Sequence, residues 1–372
     1  MAKGGRYVRK KEKKPLGGKK IALIVIAVLL VLIIAAVIAV VVYYNSMLGL
    51  LSRPGAVEME SMSAEEEAEM LGTLPPTEAT TEATTEPTTV PTETMSPEEN
   101  LVNIMLIGQA SRHEDTSRLS DTMMLCSINR AEKTLTLTSF QRDMRVVIPA
   151  YAGHTQGFNR MNVVYHLGSY WTGEISGSME MMELCVEQNF GVKIDHTIEV
   201  DFVAFEKVVN LLGGIEVELN QRQADYMNTL SKFGVDVEVG HNVLDGYEAL
   251  TYARMRKIDS DWERTKRQRE VITQLLQKCI TMDLATANNL LKEVLPLVTT
   301  DMTNEEITGY VFEFLPMLAD LDMRSQTIPF DGTWTGNNIG TEDVPNYVID
   351  ANLQKNKQML MESLGMITTE EK

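Results

Sequence analysis

Apolar residues change their spacing several times along the chain, and each change marks an element. Ile21–Val42 is an unbroken apolar run of 22 residues, closed by Tyr43 and Tyr44. As a helix it spans about 33 Å, enough for a bilayer core of about 30 Å. The two tyrosines fall where an interfacial belt would sit. The alternative, a cleaved secretory signal, calls for an apolar run of only about 7–15 residues and a small-residue cleavage site. Tyr43-Tyr44-Asn45-Ser46-Met47 is a poor cleavage site. The run reads as an uncleaved transmembrane signal anchor over residues 21–44. The basic tail over 1–20 is then cytoplasmic by the positive-inside rule, and everything after Tyr44 lies outside.

Residues 45–99 lose the periodicity. The stretch TEATTEATTEPTTVPTETMSPEE over 77–99 is Thr, Glu and Pro with almost nothing to bury. Such a segment does not offset its ordering entropy, and it reads as an extended extracellular stalk. From Leu101 the pattern becomes globular. Strands are predicted over 101–107, 122–128, 134–140, 144–149, 196–202, 215–219, 325–330 and 347–350. Helices are predicted over 160–168, 178–190, 203–212, 245–253, 265–280, 285–298, 304–321 and 353–364. The turn 129–133 joins the second and third strands as a hairpin. Strands interleaved with helices imply an α/β domain over 100–372, a central mixed sheet with helices on both faces.

Charge sharpens this picture. The first 20 residues hold nine Lys/Arg and one Glu, a net of +8; the remainder holds 25 Lys/Arg and 51 Asp/Glu, a net of −26. An acidic body argues against nucleic acid as a partner, because that affinity rests on phosphate neutralisation. Cys126, Cys185 and Cys279 are far apart with no C-x-x-C spacing, and read as buried free thiols rather than a disulfide or metal set. The five histidines are scattered without metal spacing. Met123, Met124, Met161, Met181 and Met182 lie on apolar stretches and read as core, although flexible thioethers also suit a lipid-tail groove.

Against that acidic background, Tyr252–Arg269 (YARMRKIDSDWERTKRQR) carries Arg254, Arg256, Arg264, Arg267 and Arg269. Arg254 and Arg256, two apart, share a face if the segment is extended. Ser260 and Glu263 fit a capping box, so a helix should start near Asp261. On it Arg264 and Gln268 are four apart and share a face. Converging guanidinium groups bind phosphate oxygens bidentately and suit a pyrophosphate. A solvated charged helix face is the plainer alternative.

The order of signals resembles the LytR-CpsA-Psr family of cell-wall glycopolymer ligases. The matching text is NIMLIG (103–108), SDTMML (120–125), QRD (141–143), RMNVVYHLG (160–168), IDHTIEVDFVAFEKVVNLLGGIEVEL (194–219), LDGYEALTYARMRK (244–257) and DSDWERTKRQR (259–269). The resemblance implies a three-layer α/β/α domain that takes a glycopolymer, such as wall teichoic acid or capsular polysaccharide, from a polyprenyl-pyrophosphate carrier. The polymer moves with one phosphate to a hydroxyl of peptidoglycan. It further implies that Arg142, Arg254, Arg256 and Arg264, with Gln268 beside them, bind the pyrophosphate. Arg160 stands where the family usually has a lysine, and Asp121 matches a Mg²⁺-binding aspartate. One departure is visible: a second metal-binding aspartate of the family is replaced by Ala110, with Glu114 and Asp115 the nearest carboxylates.

Phosphoryl transfer is mostly positioning and charge stabilisation, and the acceptor hydroxyl calls for a general base. Asp261, at the helix start among the arginines, is the candidate; its alternative role is a carboxylate favouring the helix dipole. Asp121 has the alternative of an ordinary turn residue before a strand, and Asp143 reads as an orienting partner of Arg142. Two competing functions use the same residues: hydrolysis of a lipid pyrophosphate, or non-catalytic binding of a wall polymer.

Overall fold

The computed structural model describes residues 46–55, 99–109, 119–230, 234–314, 317–339 and 347–367. The predicted anchor over 21–44, the basic tail and most of the stalk lie outside these residues. No helix among the described residues is long and apolar enough to cross a membrane.

The centre is a six-stranded mixed sheet. β1 (Leu101–Gln109) pairs antiparallel with β2 (Ser120–Asn129), and β2 antiparallel with β3 (Thr134–Phe140). On the far side of β1 come β6 (His196–Val200), parallel to it, and then β9 (Val298–Thr300), antiparallel to β6. On the far side of β3 lies β10 (Asp322–Ile328), parallel to it. The β2–β3 hairpin forms as predicted. Its turn is closed by the Asn129 carboxamide oxygen, which accepts from the N–H groups of Ala131 and Glu132, and Lys133 takes a positive φ of 52°.

Alternation along β1 explains the layers. Leu101, Met105 and Ile107 face one core, shared with α1 (Met161–Thr172), α2 (Ile175–Phe190) and α9 (Leu353–Ser363). Val102, Ile104 and Leu106 face another, covered by α6 (Asp261–Thr281) and α8 (Asn304–Phe314). A third cluster packs α3 (Phe202–Leu211), α4 (Gln221–Asn228) and α5 (Gly246–Arg254) with the antiparallel pair of β7 (Ile215–Leu219) and β8 (Gly240–Leu244) against α6. Two further antiparallel pairs stand beside the sheet: β4 (Arg145–Ile148) with β5 (Gly157–Arg160), and β11 (Trp334–Asn338) with β12 (Tyr347–Ala351).

Several expectations are corrected. The helix predicted over 285–298 is α7 (Leu284–Val294), followed by a 3₁₀ turn (Leu295–Leu297) and β9; Pro296 lacks the N–H that would continue the helix. The helix predicted over 304–321 ends with α8 at Phe314, two residues before Pro316. β5, α4, β8 and β11 are additional elements. The folded unit also takes in residues 50–55 of the predicted stalk. Ser52 N–H donates to Val298 and Ser52 C=O accepts from Thr300 N–H, at the free edge of β9, and Gly55 C=O accepts from Ile175 N–H. The three cysteines are free thiols, and burial pushes Cys126 and Cys185 up to about 12.

Candidate active site

The strand directions fix where the chemistry collects. β2 runs antiparallel to β1 and β3, so the start of β2 and the end of β3 lie at one end of the sheet. Asp121 is the second residue of β2, and Arg142 and Asp143 follow β3 two and three residues past Phe140. α6 then brings its first turn to the same end, with Asp261 and Arg264. Ser260 caps this helix by accepting from Glu263 N–H, the half of the capping box that fixes its start.

The result is a compact network. Asp121 Oδ1 lies 3.4 Å from Arg142 Nη1, 2.9 Å from Arg256 Nη2 and 3.9 Å from Arg264 Nη1. Asp261 takes Arg264 Nη2 on Oδ2 at 2.9 Å, and faces Arg256 Nε and Arg142 Nε at 3.6 and 3.8 Å with Oδ1. Asp143 sits between Arg142 (3.3 Å) and Arg160 (3.6 Å), the orienting role expected of it. Four guanidinium groups against three carboxylates leave this end of an acidic protein locally positive.

Arg264 is the group most in need of a further partner. It is 1% exposed, and its Nε and Nη1 have no hydrogen-bond acceptor. Each unmet buried donor costs about 1–3 kcal/mol, more for a charged one. Arg142 Nε, on the same network, is likewise without a hydrogen-bond acceptor. These donors suit an anion with several oxygens. Asp261 responds to the same surroundings. Burial raises its carboxyl to about 6, against Arg142 and Arg256, which lower it, and with Asp143 and Asp121, which add to the rise.

The chain belongs to the LytR_cpsA_psr family. The family model matches residues 73–358 of it. Among its relatives is the polyisoprenyl-teichoic acid–peptidoglycan teichoic acid transferase TagT of Bacillus subtilis, 32% identical over 49% of this chain and 54% of the relative. TagU of Oceanobacillus iheyensis, which carries the same transferase description, is 32% identical over 67% of this chain and 68% of the relative. The chain thus spans little more than half the length of TagT and two thirds of that TagU. The solved structure "TagT bound to LIIa-WTA" is similar with a TM-score of 0.55 and 26% identity, covering 73% of this chain and 94% of that one.

Within this family member the sequence-predicted residues divide. Asp121, Arg142, Arg256, Asp261 and Arg264 meet in one network, and Arg160 joins it through Asp143. Arg254 does not share a face with Arg256: it is the last residue of the helix α5, not part of an extended segment. Its guanidinium lies 4.3 Å from the Phe202 ring centroid, and no ion pair ties it to Asp121 or Asp261 among the described residues. Gln268 shares the buried face of α6 with Arg264 but donates to Ala253 C=O at 3.4 Å, steadying α5 rather than reaching the network. Arg267 is the scaffold beneath it. Its guanidinium donates to the carbonyls of Tyr252 and Met255 and to both oxygens of Asp259. It therefore grips the segment that carries Arg256 from both ends.

Gln141 was missed as a site neighbour. It is fully buried beside Arg142, donates weakly to Thr265 on α6, and leaves its Oε1 without a partner. Its only sequence signal was its place in QRD. Ala110, Glu114 and Asp115 lie outside the described residues. Among those described, no three His, Cys, Asp or Glu side chains group as a metal set. The donor chemistry nonetheless fits one hard cation of limited protein ligation. The guanidinium contacts of Asp121 fall on Oδ1, leaving Oδ2 for an ion that takes one or two carboxylates and completes its shell with phosphate oxygens and water.

Proposed function

We propose that this protein is a membrane-anchored, extracellular phosphotransferase that moves a glycopolymer with one phosphate from a polyprenyl-pyrophosphate carrier to a hydroxyl of peptidoglycan. The observation that carries the reading is the buried Arg264 with two unmet donors at the centre of the Arg142–Arg256–Asp121–Asp261 network. Family membership and the transferase description of relatives such as TagT support the reaction class.

In this reading the pyrophosphate oxygens take the donors of Arg142, Arg256 and Arg264. Asp261, ionised above about pH 6, accepts the proton of the acceptor hydroxyl. The acceptor oxygen forms a bond to the phosphorus that bears the glycopolymer. The bond from that phosphorus to the bridging oxygen breaks, and polyprenyl monophosphate leaves. The arginines neutralise the charge that develops on the leaving phosphate, so the electrostatics are set before the substrate arrives. Asp121 is the residue that would hold Mg²⁺, which when bound would supply charge stabilisation at the phosphates. Asp143 keeps Arg142 and Arg160 aimed into the site.

The test incubates the full-length chain in detergent with a polyprenyl-pyrophosphate-linked saccharide, with and without peptidoglycan fragments, in Mg²⁺ or EDTA. Products are read by mass spectrometry. Saccharide phosphate joined to peptidoglycan, with polyprenyl monophosphate released, is the expected result. Release with no adduct means a hydrolase, and tight binding without turnover means a non-catalytic binder. Removing everything before residue 98 would also strip residues 50–55 from β9, so a truncated protein should begin before Leu50.

A further inference from the structure

The β11–β12 hairpin has no part in the pyrophosphate site, yet it is fastened to it. Ile349 N–H on β12 donates to Asp143 C=O, and Ile349 bridges Met144. Asp350 pairs with Arg145 at 2.8 Å. Trp334, the first residue of β11, stacks on Trp262 with ring centroids 5.1 Å apart and planes 27° from parallel. Trp262 directly follows Asp261 in the chain, so the aromatic pair is carried by the same first turn of α6 as the proposed general base.

The register shows what the rest of that hairpin face offers. Trp334 pairs with Ala351, Gly336 with Ile349, and Asn338 with Tyr347; directly opposed residues share a face, and alternate rungs share it too. Trp334 and the 70% exposed Tyr347 are therefore aromatic walls on one face. They stand four rungs apart, two either side of Gly336, a separation of about 14 Å along the strands. A Cβ placed on Gly336 would meet nothing within 4 Å, so the floor is open on the β11 side, with the part-buried Ile349 beside it on β12.

We propose that Trp262, Trp334, Gly336 and Tyr347 form a binding subsite for the pyranose rings of the acceptor glycan. The inference rests on the transferase reading above. Aromatic walls give a sugar's C–H face broad dispersion contact, and a glycine floor lets the ring lie close. The acceptor is the occupant because its hydroxyl must reach Asp261, and this surface adjoins Asp261 through Trp262. The lipid carrier is drawn instead to the guanidinium groups. A membrane surface is the poorer match. The described residues of 331–339 and 347–350 carry Asp331 and Asp350 and no Lys or Arg, which disfavours anionic headgroups.

The experiment uses the full-length chain in detergent and equilibrium dialysis of a labelled peptidoglycan oligosaccharide that lacks stem peptides. Trp334→Ala and Gly336→Leu are each expected to weaken glycan binding at least tenfold. The leucine fills the gap at a position with room for it, so it tests the groove without removing a packing residue. Affinity for polyprenyl pyrophosphate, measured in parallel, should stay within twofold of the parent. Loss of that lipid binding in the unaltered protein would refute the transferase reading itself. Glycan affinity unchanged in both variants would overturn the subsite. So would binding that follows the free stem peptide instead of the glycan, or variants that lose affinity for anionic lipid vesicles while keeping it for the glycan.

Discussion

Asp261 gives the sharpest test of the site, because one substitution changes two independent curves. Its carboxyl is raised from 3.8 to about 6 in the folded protein, chiefly by burial. At 1.36 kcal/mol per pH unit, that difference is at most about 3 kcal/mol. As pH rises, the unfolded chain releases this proton first. Between about pH 4 and 6 the folded state binds more protons, so stability falls with pH. The contribution of Asp261 is full below about pH 4 and lost as pH rises through about 6. In Asp261→Asn this slope disappears, while the loss of the Arg264 contact shifts the whole curve nearly uniformly. Urea unfolding from pH 4 to 7.5, on protein beginning before Leu50, should show the gap between parent and variant changing by up to about 3 kcal/mol across that range. The rate of glycopolymer transfer should show the complementary dependence. Below about pH 6 it should fall tenfold per unit as the base is protonated, and Asp261→Asn should lower it by about 10²–10⁴. Parallel stability curves, together with a transfer rate flat from pH 5 to 7.5, would refute both the raised carboxyl and its role as base.

The neighbouring arginines separate by what they touch. Arg256→Ala should reduce transfer at least a hundredfold with an unfolding midpoint close to the parent's, since its side chain is part-exposed and its partners are Asp121 and Asp261. Arg254→Ala should cost no more than about 1 kcal/mol through its lost stacking on Phe202 and leave transfer within a few fold; a loss equal to that of Arg256→Ala would return it to the pyrophosphate site. Arg267→Ala should destabilise by about 3–5 kcal/mol, because it leaves Asp259 and two carbonyls unpaired; thermal unfolding reads this directly. Asp121→Asn should weaken the Mg²⁺ dependence of transfer in a metal titration, and an unchanged titration would remove Asp121 from metal binding.

Much of the fold was legible because its elements announce themselves locally. The β2–β3 hairpin followed from two apolar runs and a turn, and β7 from the strict alternation of Ile215–Leu219. What escaped depends on partners distant in sequence. β9 is three residues long and exists because β6 and Ser52 lie on either side of it. β11 reads Trp-Thr-Gly-Asn-Asn, a poor strand by composition, and is a strand because β12 pairs with it. The site divides in the same way. The family resemblance named Arg142 and Arg264 together, and the structure sets both against Asp121 and Asp261. The paired reading of Arg254 and Arg256 failed because α5 runs through Arg254 and stops there, turning one guanidinium to Phe202 and the next to Asp121. Ion pairing decided which arginines converge, and no spacing rule carries that information.

The network of carboxylates around the arginines also bears on why the site can be both stable and reactive. A cluster of guanidinium groups alone would repel itself, and a buried one such as Arg264 would be costly to keep charged. Asp121 and Asp261 remove that cost in the absence of substrate by sharing three arginines between them. They do so incompletely, since Arg264 Nε and Nη1 and Arg142 Nε still lack acceptors. A pyrophosphate can therefore bind by completing the network rather than by breaking it. In the proposed reaction its negative charge would offset part of the positive charge of Arg142 and Arg256 that lowers Asp261, without removing their contacts to it. On that reading the carboxylate that pairs with Arg264 in the resting protein would become a stronger base once the donor is bound, which would tie proton abstraction to occupancy of the phosphate site.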